Sequence, residues 1–353
     1  MKKSFLFIIA AGCALFLTGC VSSPDYVGGN DGIHRVRYSF YPAGWRAEKV
    51  ADISNVSFMA THSRSLYAPR RIAKGVFGVD VFRIRRDGSL NKTDAFVIPG
   101  KYGYCHISIS GDGKYLFGSS YSGGFLDVLS LIPGGGIIRL KQRIPFSGRS
   151  IHKRQTKSHP HFAAETPDGT KVLAADLGTD RIHILKNVPG KGFVQTGSAV
   201  LPPGSGPRHL SFSTDGKFVF CANELNNTVT SFKLEKEGLL PVDSAPLLPA
   251  AWSGRSFAGA IKTSPSGEIF VTNRGHDSIA VLSVSSGGKL KCGNVFSSMG
   301  NFPYDVLWGG RDFFTVCMKS DKFGVWKRKD GSWQLEETLT IRRPVCIIPV
   351  PEK

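Results

Sequence analysis

The sequence contains no Cys-x-x-Cys pair, which removes the zinc knuckle and the thioredoxin-like redox site from consideration. No Gly-x-Ser-x-Gly, Gly-x-Gly-x-x-Gly or P-loop occurs, so serine hydrolase, dinucleotide and nucleoside-triphosphatase readings have no motif behind them. The 41 glycines exceed the usual ~7% share but follow no Gly-X-Y period, which excludes collagen. Acid is scarce, with 27 Asp and Glu against 45 Lys and Arg and a net charge of +18. A hydrophobic content of 41% excludes wholesale disorder. Beyond the first twenty residues, no apolar run is long enough to span a bilayer.

What is present begins with an address. Lys2 and Lys3 precede an almost wholly apolar run from Phe5 to Phe16, closed by Leu17-Thr18-Gly19-Cys20. A membrane anchor wants roughly 20 apolar residues, and this run is shorter. The segment resembles the lipobox of bacterial lipoproteins. That resemblance implies a signal peptide over residues 1–19, lipidation of Cys20 and a short linker over 20–25. Val21 after the cysteine implies the outer membrane. The expectation is a protein of the bacterial cell envelope, held to the membrane by its N-terminal lipid on the periplasmic face. The basic surplus suits anions, though export argues against nucleic acid as a partner. The runs Arg83-Ile84-Arg85-Arg86 and His152-Lys153-Arg154 read as solvated faces. Cys105, Cys221, Cys292, Cys317 and Cys346 remain, an odd number that leaves at least one unpaired. Cys221, Cys317 and Cys346 lie in apolar runs, where packing is the simplest role.

A repeat organises the rest. Four units run strand, turn, strand through Gly111-Asp112-Gly113, Pro167-Asp168-Gly169, Asp215-Gly216 and Ser264-Pro265-Ser266-Gly267. A third strand follows in several, as in Arg181–Leu185 and Ser278–Leu282. The turn glycines recur about every 50 residues, the period of a propeller blade. Weaker copies lie around Val56 to Phe82 and Tyr304 to Trp326. Tyr26-Val27-Gly28 with Ile33 to Phe40 supplies part of a seventh, which Val345-Cys346-Ile347-Ile348 is placed to complete. The expected fold is all-β: a seven-bladed β-propeller over 26–353, one domain, closed by the C-terminal strand and monomeric.

The repeat predicts a site. In a hairpin the start of strand one lies beside the end of strand two, and the innermost strand of each blade lines the central channel. Cys105, His106, His159, His161, Arg208, His209, Tyr304 and Asp305 therefore gather with Arg70, Arg71, Tyr121, Asp176, Asn223, Glu224, Asn273 and Arg274. These polar groups suit a small anionic ligand. His159 and His161, as alternate strand residues, share a face that suits metal chelation, but no carboxylate partner is defined, and neither metal nor cofactor is expected.

Five segments carry a family resemblance: Ser158-His159-Pro160-His161, Ala175-Asp176-Leu177-Gly178-Thr179-Asp180-Arg181, Gly204-Ser205-Gly206-Pro207-Arg208-His209-Leu210, Asn223-Glu224-Leu225 and Asn273-Arg274-Gly275-His276-Asp277. They resemble the propeller lactonases, the family of seven-bladed 6-phosphogluconolactonases that shares its fold with carboxymuconate-lactonizing enzyme. The resemblance implies His161 (or His159), Arg208, Glu224 and Arg274 as catalytic residues, with His106, His159, His209, Asp176, Asn223 and Asn273 around the substrate. Lactone hydrolysis needs a base for water and positive charge at the developing oxyanion. Glu224 or His161 suits the first role, and Arg208 and Arg274 suit the second or the binding of an anion. The pattern departs from the family at Ala260 and Lys262, at Tyr304, at Cys317-Met318 and at Arg70-Arg71. Three readings follow: a lactonase acting on a sugar-derived or anionic lactone, a non-catalytic envelope propeller binding a glycan, lipid or protein, and a muconate-type lyase.

Overall fold

The computed structural model describes residues 26–309 and 312–349. The expected signal peptide, lipidated Cys20 and linker lie outside the described residues. Seven four-stranded antiparallel sheets follow one another along the chain, and the described residues form a seven-bladed β-propeller. Blade two runs from Ala60–His62 to Leu90–Val97, blade three from His106–Ile109 to Ile137–Pro145 and blade four from Pro160–Glu165 to Gly192–Val200. Blade five runs from Pro207–Phe212 to Leu239–Pro246, blade six from Phe257–Thr263 to Leu290–Ser297 and blade seven from Pro303–Gly309 to Ser332–Thr340. Blade one joins the two ends of the chain. Cys346–Ile348 is its innermost strand and pairs antiparallel with Tyr26–Gly28, followed by Ile33–Phe40 and Ala43–Ala51.

The repeated turns have one chemistry. Ser110, Thr166 and Ser213 donate their hydroxyls to Asp112, Asp168 and Asp215 at 2.8, 2.6 and 2.7 Å, and Ser264 pairs with Ser266 at 2.9 Å. The glycine after each takes a positive φ, between 68° and 87°, which a β-carbon would penalise. The second strands Val172–Asp176, Phe218–Asn223 and Ile269–Arg274 are buried at every residue, because neighbouring blades cover both faces. The outermost strand Ser332–Thr340 instead alternates between exposed and half-buried.

Apolar burial is distributed between blades rather than concentrated in one centre. Each of seven clusters bridges one pair of neighbours; Phe220 and Val229 of blade five and Leu247 just after it, for example, meet Ile261, Ile269 and Leu282 of blade six. The last cluster joins Phe314 and Val325 of blade seven to Val27, Trp45 and Ile347 of blade one. Each large side chain so buried contributes about 1.5–3 kcal/mol.

Polar ties reinforce the apolar ones on the upper face. Asp180, Asn227, Asp277 and Asp321 each sit at the turn between the second and third strands with φ of 53°, 55°, 55° and 54°. From there each side chain bonds the segment entering the next blade: Gly204 and Gly206, Ser256, Phe302, and Arg343. Short Asx side chains tolerate this backbone conformation and bond locally.

Candidate active site

The inner strands do not run straight into the channel mouth. In blade four the pairing register slips between Pro160 and Phe162, in blade five between Pro207 and His209, and in blade seven between Pro303 and Asp305. The extra residues are His161, Arg208 and Tyr304. A bulge leaves its extra residue outside the ladder and re-aims its side chain. Each slip follows a proline, which has no N–H to lose at the start of a ladder. The same device therefore presents three different side chains at the mouth. In blade six the slip falls between Ala258 and Ile261, over Gly259 and Ala260; a β-carbon at Gly259 would run into Thr272 Oγ1 first and also crowd Arg274 Nε at 3.1 Å, so the glycine leaves both side chains their space.

Glu224 is the centre of the constellation. It follows the second strand of blade five, and its N–H donates to Gly206 O at 2.7 Å. Its Oε2 receives Arg274 Nη2 at 2.6 Å and lies 3.0 Å from Arg208 Nε, while Oε1 receives Arg154 Nη1 at 2.5 Å. Burial alone would raise the Glu224 carboxyl, but Arg274, Arg208, His161 and Arg154 outweigh it and hold the pKa far below the usual range. Three guanidiniums on one carboxylate leave a net surplus of about two positive charges. Arg208 is 1% exposed, and burial followed by the nearby Arg274 lowers its pKa. Arg208 Nη1 and Arg274 Nε are buried without a hydrogen-bond acceptor, while Arg208 Nε meets Glu224 as an ion pair out of hydrogen-bond alignment. The Tyr304 ring lies 5.4 and 5.6 Å from the Arg208 and Arg274 guanidiniums.

Arg154 was not among the residues singled out in the sequence. The run His152-Lys153-Arg154 reads there as a solvated face, yet Arg154 reaches across to Glu224 from the segment between blades three and four. Gln155 holds the segment in place. It is 1% exposed and donates Nε2 to Leu177 O and to Asp180 Oδ1 at 2.8 and 2.7 Å. The same Asp180 bonds Gly204 and Gly206, which lead into Arg208. Arg154 lies in no strand, so hairpin register gives no signal for it.

Next to the arginines the inner-strand histidines form a layer of packed rings. The His106 ring lies between Phe58 and Phe162, with centroids 4.3 and 4.2 Å away, and His209 lies 5.4 Å from His106 and 5.2 Å from His161. Burial, then neighbouring cations led by Lys262 for His106 and by Arg208 for His161 and His209, pushes all three imidazoles well below their usual pKa. They are neutral at pH 7. His106 Nδ1, His161 Nδ1 and His209 Nε2 are buried and unpartnered.

Not every expected residue faces this space. Asp176 Oδ1 accepts from the N–H groups of His159 and Gly178, and Oδ2 from Ser158 Oγ, with His183 Nε2 at 3.2 Å, so its bonds stay within blade four and its entry segment. Asn223 donates to Thr228 and Thr230, and Asn273 to Leu247 O and Ser278. His159 stacks on Tyr121 at 4.3 Å and shares Nδ1 with Tyr121 O, and the bulge at His161 breaks the alternation that would set the two histidines on one face. Asp305 is buried beneath the mouth, where Oδ2 accepts from Ile347 N–H of the closing strand. Cys105 is half-buried, its thiol pushed up to about 11 by burial. All five described cysteines are free.

Comparison with known proteins agrees with the architecture. The sequence matches the family described as "Lactonase, 7-bladed beta-propeller" over residues 18–349. It is 27% identical over 333 residues to the 6-phosphogluconolactonase of Bacillus subtilis, covering 91% of this chain and 95% of that one. The Pseudomonas aeruginosa periplasmic gluconolactonase superposes with a TM-score of 0.83 at 27% identity, over 92% of this chain and 99% of that one. A putative 6-phosphogluconolactonase from Bacteroides fragilis gives 0.83 at 25%, over 92% and 97%. The chain belongs to the seven-bladed propeller lactonase family.

Proposed function

We propose that this protein hydrolyses a sugar-derived or otherwise anionic lactone at the channel mouth. The observation that carries the reading is the buried Glu224 cluster, whose Arg208 and Arg274 keep donors without acceptors. Preorganised donors in a dry site stabilise a developing oxyanion without reorganising. In the proposed step, water attacks the lactone carbonyl carbon and gives its proton to His161. The carbonyl electron pair moves onto oxygen beside Arg208 and Arg274. Collapse breaks the ring C–O bond, the ring oxygen takes the proton from the imidazolium, and a hydroxy acid leaves. His161 suits the base role because its imidazole is neutral with a free Nδ1. Glu224 suits it less, since both its oxygens face guanidiniums that depress its basicity; it orients the arginines instead.

The envelope location expected from the Leu17-Thr18-Gly19-Cys20 motif is part of this proposal. The Pseudomonas aeruginosa relative is described as a periplasmic gluconolactonase, so a lactonase of this fold outside the cytoplasm has a counterpart. Acid release from a panel of sugar, phosphorylated and carboxylated lactones tests the reading. Turnover is expected on at least one member, reduced about 10²–10³-fold by Arg208→Ala and at least tenfold by His161→Gln. Well-folded protein with no turnover on any lactone would favour the non-catalytic propeller that binds a glycan, lipid or protein, for which the fully paired Glu224 is the supporting observation.

A further inference from the structure

Beside the channel mouth, over blades two and three, lies a cleft of about 430 Å³ lined by Asn55, Arg71, Phe77, Tyr102, Cys105 and Tyr121, among others. It adjoins the arginine cluster through two of its lining residues. Tyr121 lines the cleft and also accepts Arg154 Nη2 on its hydroxyl at 3.1 Å, with its ring 5.7 Å from that of His161. Cys105 lines it too, with Sγ 3.5 Å from His161 O.

The charge of the cleft is one-sided. Arg70 is neutralised by Asp80 at 2.6 Å, whose other oxygen takes Lys92 at 2.9 Å. The Arg71 side chain is exposed and makes no ion pair or hydrogen bond among the described residues. Lys101 and Lys157 flank the Tyr102 ring at 5.7 and 5.5 Å, and Lys157 Nζ donates to Ser122 O. No carboxylate lines the cleft. Its walls are aromatic rings, which cover the carbon skeleton of a small polar molecule while a guanidinium takes its charged end.

We propose that this cleft is a second subsite for the substrate, where Arg71 binds an acidic substituent, phosphate or carboxylate, on the part of the molecule remote from the lactone carbonyl. The proposal rests on the lactonase reading for the identity of the molecule at the mouth, and it makes Arg71 a specificity residue rather than a catalytic one.

Calorimetric titration of the full-length protein with 6-phosphogluconate and with gluconate, hydroxy acids that differ only in the phosphate, tests it without turnover. The phosphorylated compound is expected to bind at least about tenfold tighter, a difference of about 1.4 kcal/mol. Arg71→Gln removes that preference and leaves gluconate binding within about twofold, whereas Arg85→Gln, at the lower end of the same blade, keeps it. Equal affinities in the unmodified protein, absence of 6-phosphogluconate binding, or an Arg71→Gln variant that weakens both compounds alike would overturn the subsite. Lactone hydrolysis measured alongside separates the two claims. A phosphate preference without turnover keeps the subsite and removes the lactonase reading; turnover without a preference does the reverse.

Discussion

Asp176 and Glu224 are buried carboxylates one blade apart, at nearly the same register, and their surroundings differ in kind. Asp176 accepts from two backbone N–H groups and a serine hydroxyl, all within blade four and the segment entering it. Glu224 sits among guanidiniums from three separate stretches of chain. The first carboxylate is consumed by local donors of fixed geometry and shapes its own loop. The second gathers cations that retain unused donors, and so creates a place for another anion. Burial and charge are alike at the two sites; the origin of the partners decides which one keeps cationic donors to spare.

The largest test of that contrast is Glu224→Gln. Three guanidiniums lose their counter-charge, so kcat/KM should fall about 10²–10³-fold, with about 3–5 kcal/mol of stability lost from breaking buried pairs. A variant that turns over normally would remove Glu224 from the mechanism.

Asp176→Ala comes next and acts in the other direction. It strands the donors of His159, Gly178 and Ser158 and should cost about 3 kcal/mol in denaturant unfolding. The folded fraction should keep kcat/KM within a few-fold, and a loss of turnover at unchanged stability would break the comparison.

The smallest effect concerns the histidine layer. His106, His161 and His209 have depressed pKa values, so below about pH 6.5 the unfolded chain binds protons that the folded protein does not. Stability should therefore fall on acidification from pH 7 to 5, by up to about 1.4 kcal/mol per pH unit for each histidine. Glu224, whose pKa is also depressed, loses its contribution only below the ordinary carboxylate range and so does not act in this window. His106→Phe, between two phenylalanines, should flatten the slope by one histidine's share. An unchanged slope would mean that His106 titrates normally.

Local rules made the blades readable. Asp112, Asp168 and Asp215 announce their hairpins because a short acceptor before a glycine closes the turn with its own side chain. The closing strand at Cys346–Ile348 was legible because an apolar run had no partner near it in sequence. Arg208, Glu224 and Arg274 were legible through hairpin register and through the resemblance to propeller lactonases. Arg154 was not, because it stands on no strand and reaches its partner only after the segment held by Gln155 folds over blade four. The bulges were equally hidden. A register slip is a property of two strands together, and the sequence of one does not display it.

The sequence alone determined the number of blades, their turns and the ends that join, since those depend on alternation, turn chemistry and period. Tertiary structure alone decided that His161, Arg208 and Tyr304 leave their ladders for the channel, that Arg154 completes the cluster and that Asp176 turns inward to its own loop. Those outcomes depend on which donors reach which acceptor once seven blades are packed, and distance along the chain carries no information about that.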